Sequence, residues 1–177
     1  MSSIDHDQEF AGFFRDHDRR LRGYLKALGA PPDLIDEVAP RAFIAVRRHW
    51  ARLRTENPRA YLFVIGRREV GKRISSYRQQ PVSTDFTQIE VADGHDSVDR
   101  LIDRVTLEHL VRKLPPHQQQ AVTLRYIEGF RVDETATIMC VRPGTVKRYA
   151  SDGLAALKVL IAHGDSVEAG NEEVYDR

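Results

Sequence analysis

The residue types best suited to chemistry gather in two places, and in both the chemistry is contact with phosphate and bases. Between Val132 and Leu157 the chain reads VDETATIMCVRPGTVKRYASDGLAAL. A helix that reads duplex DNA presents its first turns to base edges, so it needs small or polar side chains there with cations beside them for phosphate. Thr145, following Gly144, is expected to cap such a helix, and Arg142, Lys147, Arg148 and Tyr149 fall in its first turns. Val146, Ala150 and Leu154 share the opposite face, and Ala136 is the small residue that lets a supporting helix pack closely.

The second cluster is cationic with aromatic residues interleaved. From Arg47 to Arg73 there are nine Lys/Arg against Glu56 and Glu69, with Trp50 and Tyr61 among them. A cationic track plus aromatic platforms is what single-stranded DNA requires. For any one arginine a solvated surface charge is the simpler reading, but for the cluster it is not. The whole-chain charge of +1 hides this pattern. Residues 1–80 carry net +6, 81–108 net −5, 109–163 net +4 and 164–177 net −4, so two basic blocks are separated by an acidic strip and followed by an acidic tail. Such acidic segments suit solvated linkers or intramolecular decoys for the basic faces, and the tail Gly164–Arg177 is a candidate shield for the nearby helix.

Other chemistries find no support in the residues. Seven histidines at 6, 17, 49, 95, 109, 117 and 163 show no HxxxH or CxxC partnering, so no metal ligand is expected. GTVK lacks the upstream glycine spacing of a phosphate-binding loop, and no Ser/His/Asp order or carboxylate pair presents itself. No catalytic residue and no cofactor are expected, and the chain is read as a non-enzyme. The single cysteine, Cys140, excludes an intrachain disulfide framework and, between Met139 and Val141, is expected to be a small packed hydrophobe. A polar N-terminus and short apolar runs argue against membrane insertion and for a soluble, cytoplasmic protein.

These residues need helices to position them. Phe10, Phe13, Phe14, Leu21, Tyr24, Leu25 and Leu28 recur at helical steps until Gly29 and Pro31-Pro32. A second helix is expected from Leu34 to Trp50 with Asp33 as its N-cap, and a third after Asn57-Pro58 through Ile74. From about Arg78 to Ser97 the period dissolves into a linker rich in Pro, Gly, Ser and acids. Helical spacing resumes at Val98, halts at Pro115-Pro116 and again at Gly129. A short helix from Asp133 to about Met139, a turn at Cys140–Gly144 and a longer basic-fronted helix then have the order of a helix-turn-helix. The expected fold is all-α: two small helical domains joined by a flexible linker, the second containing a helix-turn-helix. The domains are 8–79, linker 80–97, domain 98–163 and acidic tail 164–177.

LPPHQQQAVTLRYIEGFRVDETATIMCVRPGTVKRYA resembles region four of bacterial RNA polymerase sigma factors of the extracytoplasmic-function (ECF) group, in the sigma-70 family. IDEVAPRAFIAVRRHW and NPRAYLFVIGRREVGKRI resemble helices of the same family's region two, so the likeness covers about residues 8–162. It implies an alternative sigma factor that directs core RNA polymerase to specific promoters and is controlled by an anti-sigma factor. Region four would bind the minus-35 element through Arg142, Thr145, Lys147, Arg148 and Tyr149. Region two would bind the minus-10 element and the melted non-template strand through Trp50, Arg52, Arg54, Asn57, Arg59, Tyr61, Arg67, Arg68, Lys72 and Arg73. Asp36, Glu37, Pro40 and Arg41 would meet the core polymerase. The family pattern usually has Gln and an acid at Pro40 and Arg41, Asn at Arg68, Gly at Cys140, a basic residue at Asp152 and often Arg at Tyr149. The Pro40–Arg41 departure motivates an alternative: a sigma-like helix-turn-helix regulator that does not productively engage polymerase. A protein-interaction module whose basic faces meet an acidic partner is a third reading, distinct in class.

Overall fold

The computed structural model describes residues 3–74 and 104–168. The expected linker 80–97 and residues 169–177 of the tail lie outside them. Every regular element among the described residues is helical, as the apolar spacing requires.

Helix α1 (Ser3–Ala27) buries Leu21, Tyr24 and Leu25. It closes with Ala30 N donating to the Leu25 carbonyl (3.1 Å) and Gly29 N to that of Lys26 (2.9 Å), a paired arrangement that satisfies the last carbonyls. Helix α2 (Pro32–Arg48) turns Ile35, Val38, Ala39, Ala42, Phe43 and Val46 inward. Its N-cap is Pro31 and not the expected Asp33, which sits in the first turn. Pro32, whose fixed φ suits the first helical position and whose missing N–H is not needed there, starts the helix one step earlier. Pro40 leaves α2 unbroken. The carbonyl deprived of a donor belongs to exposed Asp36, where water can reach it.

Trp50 does not end α2 as the spacing suggested; it opens the short helix α3 (Trp50–Leu53). Helix α4 (Pro58–Arg73) starts where Asn57-Pro58 predicted, with Asn57 Oδ1 accepting from Ala60 N at 2.9 Å. It buries Leu62, Phe63, Gly66 and Val70 between α1 and α2.

The second group comprises α5 (Arg104–Val111), α6 (Pro116–Val122), α7 (Val132–Met139) and α8 (Pro143–Glu168). Residues Thr123–Ile127 extend α6 as one π-helical turn. Glu128 N donates to the Thr123 carbonyl (2.8 Å) and Phe130 N to that of Leu124 (2.9 Å), while Gly129 takes φ +71, a conformation glycine adopts without a Cβ penalty. This wide turn brings Phe130 back over the bundle. At Gly153 a Cβ would lie 2.7 Å from Val122 Cγ2, so α6 and α8 approach as only glycine allows.

Helix α8 begins at Pro143, which makes Thr145 its third residue and not its cap. The Arg142 carbonyl accepts from Thr145 N and Val146 N instead. At its other end α8 runs to Glu168, into the segment read as tail, because adding residues to a formed helix escapes the cost of nucleation.

The two groups share one apolar cluster. Leu21, Tyr24, Phe43, Leu62 and Phe63 of the first are continuous with Leu124, Phe130, Ile138, Met139, Val146 and Ala150 of the second. Phe63 and Phe130 meet edge to face with centroids 5.0 Å apart. A smaller cluster of Val111, Leu114, Val122 and Leu157 fixes α5 and α6 on α8.

Candidate nucleic-acid interface

The helix-turn-helix is built by α7, a left-handed turn and α8. Cys140 N donates to the Thr137 carbonyl and Val141 N to that of Ala136, closing α7, and Cys140 adopts φ 54 to do so. Cys140 is exposed, contrary to its expectation as a packed hydrophobe, because it sits in the turn after α7, where its thiol donates to the Thr137 carbonyl at 3.7 Å. Ala136, Val146 and Ala150 are buried where the two helices touch, as their size and spacing predicted, and Leu154 is half-buried.

With those residues inward, Arg142, Lys147 and Arg148 are exposed at the start of α8, and Thr145 is half-buried. Arg142 just ahead of α8 and Lys147 and Arg148 in its first turns thus lie on one exposed cationic surface. Tyr149 lies to one side. Its ring stacks on His117 of α6 at 5.2 Å and 8°, with the Arg148 guanidinium 5.5 Å from its centroid. Burial, and secondarily the Arg67 charge, pushes the His117 pKa below its usual value, so the imidazole under Tyr149 favours its neutral form.

The cluster from Arg47 to Arg73 divides into two kinds of residue. Arg52 and Arg68 are exposed, Arg52 pairing with Glu56 at 3.5 Å. Lys72 holds Glu69 at 2.6 Å and keeps that carboxyl below its ordinary pKa, while Arg73 binds Glu37 at 2.8 Å and Glu69 at 3.6 Å. Arg54 reaches Glu9 at 3.5 Å. Trp50 is only 8% exposed, packed on Phe10 and Phe13 with centroids 5.2 Å away in each case, so its ring serves the core. Tyr61 is half-buried, edge-on to His49 at 6.5 Å.

Asn57, Arg59 and Arg67 are engaged by the second helical group. Asn57 Nδ2 donates to Glu134 Oε1 at 2.5 Å and Arg67 Nε to Gln120 Oε1 at 3.3 Å. Arg59 donates to the Glu128 carbonyl, pairs with its carboxylate at 3.3 Å and lies 4.0 Å from the Phe130 centroid.

Residues 104–157 match the family model described as Sigma-70, region 4. This segment is similar to sigma-70 region 4. Over 107 residues the chain is 36% identical to the ECF RNA polymerase sigma factor BldN of Streptomyces coelicolor, covering 58% of this chain and 40% of that protein. It is 34% identical over 71 residues to the RNA polymerase sigma-E factor of Streptomyces avermitilis, covering 40% of each. The chain thus spans 40% of the length of these curated relatives. Among solved structures, the sigma factor RpoE in complex with the anti-sigma factor NepR from Bartonella quintana superposes with a TM-score of 0.60 at 21% identity, over 88% of this chain and 98% of that one. CnrH in complex with the cytosolic domain of CnrY superposes with a TM-score of 0.56 at 20% identity, over 89% and 90%. These two likenesses establish the two-part helical fold.

The segment similar to region 4 contains the α7–α8 pair whose exposed cations are described above. The residues expected to meet polymerase lie together on α2. Asp36 accepts from Arg22 at 2.6 Å, Glu37 pairs with both Arg41 (2.9 Å) and Arg73 (2.8 Å), and Pro40 is exposed. Being largely solvated, these ion pairs contribute little to stability. No helix among the described residues is long and apolar enough to cross a membrane.

Sequence reasoning missed four residues that set the relation of the second helical group to α4: Gln120, Glu128, Phe130 and Glu134. Phe130 carried a signal, as a large apolar residue directly after the helix-stopping Gly129. Glu134 had one too, since an acid three residues into a helix commonly reaches back to its start, here accepting from Arg131 N at 2.7 Å. No local pattern distinguishes Gln120 or Glu128.

Proposed function

We propose that this chain is an alternative sigma factor of the ECF group, directing core RNA polymerase to specific promoters under the control of an anti-sigma protein. The observation that carries the proposal is the region 4 match over 104–157, whose helix-turn-helix exposes Arg142 just before α8 and Lys147 and Arg148 on its first turns. In this reading Arg142, Thr145, Lys147, Arg148 and Tyr149 meet the minus-35 duplex, the cations by phosphate and Thr145 and Tyr149 near base edges. Arg52, Arg54, Asn57, Arg59, Tyr61, Arg67, Arg68, Lys72 and Arg73 follow the melted minus-10 strand. Trp50 supports that surface from beneath.

The chain would act in the cytoplasm without catalytic activity or cofactor, its chemistry being binding. Its division into 8–79, 80–97, 98–163 and 164–177 would separate polymerase and minus-10 contacts from minus-35 contacts. The anti-sigma partner is suggested by the two fold neighbours, each solved in complex with a second protein, one of them described as an anti-sigma factor.

Co-purification with bacterial core RNA polymerase, followed by open-complex footprinting on a genomic promoter library, tests the proposal. Stable association and melted promoters are expected. Failure to bind core with duplex binding retained would favour the alternative, a sigma-like regulator that does not engage polymerase. One observation motivates that second reading: Glu37, on the face meant for polymerase, is already neutralised by Arg41 and Arg73. A Pro40→Gln/Arg41→Glu variant that acquires core binding absent from the parent would decide for it.

A further inference from the structure

Tyr149 is one of the residues proposed to meet the minus-35 duplex, and its ring is held from outside its own helix. The fold brings this about in steps. Pro116 opens α6 and places His117 in the first helical turn. Helices α6 and α8 approach closely at Gly153, where a Cβ would lie 2.7 Å from Val122 Cγ2 and 3.3 Å from Gln118 Cβ. One turn earlier along α8 stands Tyr149, and one residue earlier along α6 stands His117. Their rings therefore meet, parallel to within 8° with centroids 5.2 Å apart. A centroid separation of that size between parallel rings is an offset stack, an arrangement aromatic pairs prefer.

The stack joins the interior to the cationic surface. Tyr149 is half-buried against the apolar cluster and has the Arg148 guanidinium 5.5 Å from its ring centroid, while Lys147 and Arg148 beside it are exposed. A tyrosine in that place offers a base edge a hydroxyl that donates or accepts, and an apolar ring suited to a thymine methyl. A ring free to turn would spend binding free energy on being ordered, so discrimination between bases gains when the rotamer is fixed before DNA arrives. We infer that His117 is a positioning residue for the minus-35 contact, its imidazole serving as the platform that fixes the Tyr149 ring beside Arg148 and so sharpens the choice of base. Burial, and then the Arg67 charge, favours the neutral imidazole, so the platform supplies shape without adding a phosphate-binding cation.

The inference rests on the proposed minus-35 role of α8. In the test the full chain, alone and with bacterial core RNA polymerase, first selects duplexes from a randomised library. Fluorescence anisotropy at fixed salt then gives the ratio of affinities for a selected duplex and a scrambled one of equal length. His117→Ala removes the platform, and His117→Phe keeps a flat ring without an ionisable group. Tyr149→Leu removes the ring that the platform serves, and His117→Ala is measured in that background as well.

His117→Ala is expected to lower the affinity ratio about fivefold, the worth of one aromatic stack. The dependence of affinity on salt should stay as in the parent, because no phosphate contact is lost. His117→Phe should bring the ratio back to within about twofold of the parent. In the Tyr149→Leu background His117→Ala should change nothing further, as acting through Tyr149 requires. An unchanged ratio for His117→Ala, a loss that phenylalanine does not restore, or an equal loss in both backgrounds would overturn the inference. A parent that selects no sequence in either setting would remove the minus-35 reading itself, and the inference with it, before any variant is measured. Should His117→Ala lose its helical circular dichroism, nuclear magnetic resonance of the unaltered chain decides. The selected duplex should shift the ring signals of His117 and Tyr149 and the scrambled duplex should not; saturation with the selected duplex that leaves both unmoved would refute the platform.

Discussion

The Arg59 guanidinium lies over the Phe130 ring, 4.0 Å from its centroid, and the same guanidinium pairs with the buried carboxylate of Glu128 two residues earlier. One side chain thus joins residues of two helical groups that lie 69 positions apart in the sequence. Truncating it strands a carboxylate in a site only 6% exposed, with Arg20 beside it at 4.0 Å. Arg59→Met is expected to lower unfolding stability by about 2 kcal/mol, since an uncompensated buried charge costs more than the lost contact. Urea denaturation checks this. Adding Glu128→Gln to Arg59→Met should recover part of the loss, which an independent, additive pair of effects would not do.

Cys140 holds a left-handed conformation that glycine adopts freely and a β-carbon resists. Cys140→Gly is therefore expected to stabilise the chain by up to about 1 kcal/mol, the relief of strain being partly offset by the greater freedom of glycine in the unfolded chain. Thermal denaturation measures it. In the native protein the thiol should react stoichiometrically with an aromatic disulfide reagent without prior unfolding, because it is exposed. Protection until denaturant is added would contradict its placement.

Lys147 and Arg148 project from the first turns of α8 with their opposite face buried by Val146 and Ala150. Lys147→Ala and Arg148→Ala should each weaken duplex binding with little effect on stability. For a phosphate contact, each should reduce the slope of log K against log salt by about 1. A salt series of fluorescence anisotropy measurements distinguishes this from a base contact, whose loss relaxes sequence preference and leaves the slope unchanged.

His17 is pushed below the ordinary histidine pKa by burial, against the partial opposition of the Phe13 carbonyl 2.8 Å from Nδ1. The folded state thus prefers neutral imidazole, and as pH falls the unfolded chain takes up the proton first. Stability is fully present above the unfolded value near 6.5, declines as pH drops below it, and stops declining from this cause once the lower folded value is passed. His117 has the same sign. Urea midpoints between about pH 7.5 and 5.5 should fall for the parent and fall less for His17→Gln.

The local chemistry of the helices was legible in residue order. Asn57-Pro58 announced the start of α4, Gly129 the end of the helical run before the turn, and Ala136, Val146 and Ala150 the inner faces of the helix-turn-helix. These depend on neighbours within a turn or two, so periodicity and capping chemistry suffice to read them. Even there, competition between adjacent residues escaped the pattern. Pro32 displaced Asp33 from its expected place, and Pro143 started α8 ahead of Thr145, because a proline satisfies the first helical position by its own fixed φ.

Which cations are available to a partner is a different kind of fact. By sequence Arg52, Arg59 and Arg67 are alike, members of one basic run. Tertiary structure leaves Arg52 on the surface, places Arg59 against Glu128 and Phe130, and sets Arg67 beside Gln120. Trp50, an aromatic platform by composition, becomes core because α3 turns it onto Phe10 and Phe13. The sequence by itself determined an all-α chain with a basic helix-turn-helix, since helical period and turn residues are short-range properties. Only the tertiary structure decided that the two basic blocks meet, because the partners in that meeting are far apart in the chain and their pairing is set by the shape and charge of surfaces that exist only after the helices have packed.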